Sequence, residues 1–162
     1  MHQRNCGKPP GGTARGKMFS MRTRFVRFVG DYFISREFVD VVTNLTTSKG
    51  IDVTASDPNS GEKWLVECNG EIKAALNADG TQSPPFTPRM CRQSLEAALF
   101  KTMACQSHAM ENADVKVRAS MAFPNTPHYR DYIGRIARSL EAANISVFLV
   151  SVQGFVKKYQ RS

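Results

Sequence analysis

The stretch from Gly50 to Lys73, GIDVTASDPNSGEKWLVECNGEIK, leaves the chain few structural alternatives. Ile51 to Ser56 alternates apolar and polar residues, Asp57-Pro58-Asn59-Ser60-Gly61 is dense in turn formers, and Trp64 to Asn69 alternates again. The pattern predicts a β-hairpin with a longer loop. Strand side chains point to opposite faces with period two, so Ile51, Val53 and Ala55 share one face while Asp52, Thr54 and Ser56 share the other. On the second strand Trp64, Val66 and Cys68 fall together, opposite Leu65, Glu67 and Asn69. Two acids thus interrupt the hairpin, and the residues alone leave two readings. Asp52 and Glu67 lie on the solvated face of an antiparallel pair, or they are buried and a shared divalent cation offsets their charge.

The hairpin resembles the PD-(D/E)xK, or restriction-endonuclease-like, nuclease superfamily. The residues that carry the resemblance are Gly50-Ile51-Asp52, the Asp-Pro-Asn-Ser-Gly turn, and Trp64-Leu65-Val66-Glu67-Cys68-Asn69-Gly70-Glu71. It implies a metal-dependent nuclease that hydrolyses phosphodiester bonds in nucleic acid, with DNA as the substrate and Mg2+ or Mn2+ as the cofactor. Asp52 and Glu67 then hold the metal, together with the backbone carbonyl of Cys68. Asn69 stands where the superfamily has a lysine, two residues beyond the glutamate. An asparagine can position a water, but it has no charge with which to lower the water's pKa or steady a developing phosphorane. Members of the superfamily with altered motifs include inactive ones, so the resemblance carries an alternative: a catalytically inactive module of the same fold that binds nucleic acid or a partner protein.

The resemblance also extends beyond the hairpin. A Gln or basic residue near the start of the second helix often faces the metal or phosphate in the family, which makes Gln93 a further candidate beside the plainer reading of an exposed helix-start glutamine. Relatives often carry an acid on the first helix, and Asp31 is the helical acid available before Glu37. Lys63 and Lys73 are the nearby ammonium groups in sequence, although Lys73 would have to reach back more than about 10 Å along a strand. Nucleases of this type commonly cut duplexes as dimers, which adds a homodimer to the expected partners.

The remaining sequence supplies context. Its 162 residues suit one domain with a real core, and 41% hydrophobic with 22% charged residues is ordinary for a globular protein. No apolar run approaches the roughly 18 to 20 residues of a membrane span, and Arg22, Arg24 and Arg27 interrupt the nearest candidate for a signal-peptide core. Cys6, Cys68, Cys91 and Cys105 show no zinc-ligand spacing and read as reduced thiols, which suits a cytoplasmic protein. The net charge of +8 is concentrated at one end: residues 1–27 hold seven Lys or Arg and no acid, leaving 15 basic against 14 acidic residues elsewhere. Residues 1–20 read as a disordered basic leader able to add phosphate affinity, with Met18 or Met21 as alternative starts. The leader's GKPPGG lacks the order of a nucleotide-binding loop, so ATP dependence is not expected.

Periodicity places the other elements. Phe25, Phe28, Val29, Tyr32 and Phe33 mark an amphipathic helix over Met21 to Ser35, with its arginines mostly off the stripe. Glu37 to Asn44 reads as the first strand, and residues 74 to 90 as a long surface loop beside Glu71. A second helix is expected over Met90 to Met110 with Leu95, Ala98, Leu99, Thr102 and Met103 buried. An alternating strand follows at Val115 to Phe123, then a helix capped by Thr126 and Pro127, a continuously apolar strand at Ile145 to Val152, and a short edge strand at Phe155 to Tyr159. His108 and His128 read as surface or structural residues. The order αβββαβαβ predicts an α/β fold, a central mixed β-sheet flanked by helices with a restriction endonuclease-like core, formed by residues 21–162 as a single domain.

Overall fold

A computed structural model describes residues 21–45, 50–69, 86–111 and 115–160. The leader, Cys6, Glu71, Lys73 and most of the expected loop at 74–90 lie outside these residues. Among the described residues the elements run α1 (Met21–Ser35), β1 (Val39–Thr43), β2 (Val53–Ser56), β3 (Lys63–Cys68), α2 (Pro88–Met110), β4 (Val117–Pro124), α3 (Pro127–Ala142), β5 (Ser146–Val150) and β6 (Val156–Lys158). The six strands form one sheet in sequence order. β1, β2 and β3 are antiparallel neighbours, β3, β4 and β5 are parallel, and β6 returns antiparallel along β5. The expected α/β class with a mixed sheet is therefore present.

The parallel strands need crossovers, and α2 and α3 supply them on one face. There Cys91, Leu95 and Ala98 of α2 and Tyr129, Ile133 and Leu140 of α3 pack against Met121, Phe123, Val147 and Leu149. α1 covers the other face, where Phe25, Val26, Val29 and Phe33 meet Val53, Ala55, Val66, Cys68, Ala122 and Phe148. Close packing of α1 on β1 depends on Gly30, since a Cβ there would stand 2.5 Å from Thr43 Cγ2. The hairpin turn is held by its own side chain: Asp57 accepts from Asn59 N–H at 2.9 Å and from Ser60 Oγ at 2.7 Å. Those donors hold the Asp57 carboxyl below its ordinary range, the Ser60 hydroxyl most strongly. Gly61 closes the turn at φ 70, a left-handed conformation that favours glycine.

Three expectations need correction. α2 begins at Pro88 rather than Met90, because Thr87 Oγ1 accepts from Met90 N–H and Pro88 occupies the first turn, where a missing N–H is harmless. Its buried residues are Cys91, Leu95, Ala98 and Thr102, while Met103 is exposed. β4 does not alternate: its last six residues are buried, Ser120 included, because it lies between β3 and β5 with helices on both sides. Lys116 and Arg118, which gave the strand its alternating look, fall before or at its open end.

Candidate active site

The hairpin register brings the two acids together. Val53 pairs with Val66 and Thr54 with Leu65, so the next step of the ladder sets Asp52 opposite Glu67. Residues directly opposite on antiparallel strands have Cβ atoms about 5 Å apart, and like charges there repel. Both side chains are nevertheless buried, with Asp52 2% and Glu67 6% exposed, which removes the solvated-face reading.

Each carboxylate is held by a cation from a helix. Asp52 Oδ1 accepts from Arg22 Nη2 at 2.7 Å, and Oδ2 accepts from the Cys68 N–H at 2.9 Å. The bond to Asp52 raises the Arg22 pKa above its ordinary value and keeps the guanidinium charged. Glu67 Oε2 lies 2.6 Å from Lys101 Nζ. This contact is an ion pair without a well-directed hydrogen bond, and among the described residues Oε2 has no other partner. Burial pushes the Glu67 carboxyl up in pKa, Lys101 opposes that, and Asp52 adds to it.

Asn69 follows at the end of β3. Its N–H donates to Ala122 O at 3.0 Å, and its Oδ1 accepts from Ser94 Oγ at 2.7 Å. With the carbonyl end fixed, the amide NH2 is left as a donor. Cys68 takes part through its main chain. Its thiol is buried in the α1 face, and burial with the two nearby carboxylates raises its pKa well above the ordinary value, so it stays protonated.

The structure brings Asp52, Glu67, Cys68 and Asn69 together. Gln93 is exposed on α2. The residues of α2 that reach this end of β3 are Ser94, at Asn69, and Lys101, at Glu67, seven positions apart and hence on one helical face. Asp31 is exposed and nine residues beyond Arg22 on α1, about 13 Å along the axis, so α1 presents a base to the pair rather than an acid. Lys63 is exposed at the far end of β3, about 13 Å from Glu67. His108 and His128 are exposed.

The sequence reading missed Arg22, Ser94 and Lys101. A signal was present for the two cations. Arg22 precedes Phe25, Val26, Val29 and Phe33 at i+3, i+4, i+7 and i+11, so it lies on the apolar stripe of α1 rather than off it. Lys101 is likewise three residues beyond the buried Ala98 and next to the buried Thr102. A charged residue placed on a buried stripe needs a partner of opposite sign.

Among the described residues no group of three or more His, Cys, Asp or Glu side chains is arranged to hold a metal ion. No helix among them is long and apolar enough to cross a membrane. A cleft of about 420 Å³, lined by Arg118, Leu140, Asn144, Lys158 and Tyr159 among others, opens at the other end of the sheet, where Arg118 is paired with Trp64 rather than with the row of Glu67. Arg118 is already engaged there by Glu62 and Asn144. The chain matches no family model, no curated protein and no solved structure.

Proposed function

We propose that this chain is a metal-dependent nuclease of the restriction endonuclease-like type that hydrolyses phosphodiester bonds in DNA, with Lys101 in place of the lysine that Asn69 displaced. The observation that carries the reading is the buried, opposed pair Asp52 and Glu67 with a half-exposed ammonium 2.6 Å from one of them. Two buried carboxylates on facing strands repel each other, and a fold gains nothing from placing them there unless a cation or a reaction uses them.

The donor set fits a divalent cation. Mg2+ is commonly held by one or two carboxylates with water completing the shell, and Glu67 Oε2 lacks a directed hydrogen bond. Asp52, Glu67 and the carbonyl of Cys68 would hold the ion. When bound, it would lower the pKa of a water and neutralise charge on the scissile phosphate. The chain's own groups do the rest. The Cys68 N–H fixes the plane of the Asp52 carboxylate. Ser94 fixes Asn69, whose amide NH2 orients the attacking water. Lys101 sets its positive charge where the phosphorane oxygens develop theirs, a contribution of roughly 3 kcal/mol for a preorganised group. Arg22, on the first turn of α1, adds phosphate affinity beside the site.

A second reading rests on a specific observation: Arg22 and Lys101 already balance both acids. Such a cluster suits an inactive module of the same fold that binds nucleic acid or a partner protein. Cleavage of supercoiled, linear duplex and single-stranded DNA, and of RNA, with Mg2+ or Mn2+, beside an Asp52→Ala, Glu67→Ala double variant, separates the two. Metal-dependent cleavage of DNA that vanishes in the variant supports the nuclease. Binding that survives the substitutions, with no cleavage by either protein, supports the module.

A further inference from the structure

We propose that Arg22 is an internal counter-ion that holds Asp52 until a divalent cation takes its place. The inference rests on the metal-dependent reading above and adds to it a device that couples metal entry to phosphate capture.

Both oxygens of the buried Asp52 carboxylate are engaged. Oδ2 is tied to the Cys68 N–H at 2.9 Å, a buried bond just past the β2–β3 ladder that solvent does not reach. Oδ1 is tied to Arg22 Nη2 at 2.7 Å, and the Arg22 side chain is 38% exposed on a flexible stem in the first turn of α1. Arg22 is therefore the exchangeable partner, and an incoming cation that uses Oδ1 meets it first. Charge balance gives the same answer. Two acids and two bases make a neutral cluster, so a divalent ion entering it favours departure of an internal cation. A buried carboxylate is costly without a positive charge beside it, and Arg22 supplies that charge.

Once displaced, the guanidinium remains tethered at the mouth of the site. Its planar fork suits a phosphate bidentately, so the group released by the metal is the one best shaped to bind the substrate's phosphate. Metal and phosphate then assist each other's binding, and the coupling is reciprocal.

The test is calorimetric titration of Mn2+ alone into the full chain, comparing wild type with Arg22→Gln. Removing the competitor is expected to tighten Mn2+ binding roughly tenfold. In the wild-type chain, the arginine side-chain 15N spectrum should show the Arg22 guanidinium pinned without metal and freely rotating when Mg2+ is added. Equal or weaker Mn2+ binding in Arg22→Gln, with binding retained in the wild type, overturns the role of Arg22 and leaves the metal-dependent reading standing. Absence of Mn2+ binding in both chains overturns both. Should Arg22→Gln fail to fold by circular dichroism, the wild-type spectrum decides: release on adding Mg2+ supports the exchange, and a guanidinium that stays pinned with the metal bound overturns it.

Discussion

Lys101 Nζ lies 2.6 Å from Glu67 Oε2, which ties the middle of α2 to the end of β3. The contact places an ammonium beside the buried Glu67, two residues before Asn69. The consequences of that contact can be measured one at a time.

Removing the ammonium leaves Glu67 buried beside Asp52 with less positive charge. Lys101→Met is expected to lower stability by about 1–3 kcal/mol in urea denaturation, less than a fully buried pair because Lys101 is half-exposed. Adding Glu67→Gln to that variant should restore most of the loss, since the uncompensated charge is the cause. Independent, additive losses would contradict the ion-pair account.

The Glu67 carboxyl has a pKa above its ordinary 4.5, chiefly from burial. In the window between the unfolded and folded values the folded state binds more protons, so stability falls as pH rises through it. The favourable contribution is complete below about 4.5 and lost above the raised value. Glu67→Gln should therefore gain stability relative to wild type at pH 7 compared with pH 4. A constant difference across urea melts at the two pH values would count against the burial of this group.

Ser94 holds Asn69 by its Oδ1 at 2.7 Å. Ser94→Ala is expected to cost about 1 kcal/mol of stability. If Asn69 orients the attacking water, the same change lowers kcat about tenfold with KM nearly unchanged. A rise in KM alone would assign Asn69 to substrate binding instead.

Cys68 is buried, and its thiol is held protonated by burial and by the two neighbouring carboxylates. It should resist iodoacetamide in the native protein and react only on unfolding, as read by mass spectrometry. Rapid native labelling would mean that the hairpin end is open to solvent.

The sequence made much of the frame legible because period and turn chemistry are local. The hairpin faces, the Thr126 cap with Pro127, and the stripe of Phe25, Val29 and Phe33 could all be read from neighbours a few positions apart. Asp52 and Glu67 stood out as two acids within the hairpin, and the resemblance singled them out. What was not legible depended on packing between distant elements. Whether the acids faced solvent was decided by α1 and α2 closing over them, and Ser94 met Asn69 only through the crossover from β3 to α2. Gln93 was a candidate through the resemblance, while its neighbour Ser94, about 100° round the helix, makes the contact with Asn69. β4 misled because its charged residues lie at the open end while the rest is covered on both faces.

The most direct measurement is single-turnover cleavage of duplex DNA with Mg2+ by the wild type, Lys101→Met, and Lys101→Met with Asn69→Lys. The account predicts cleavage by the wild type, a loss of roughly a hundredfold or more in Lys101→Met, and partial recovery when the ammonium returns on the strand. No cleavage by the wild type, or full activity in Lys101→Met, would contradict the claim that Lys101 serves a two-carboxylate nuclease centre.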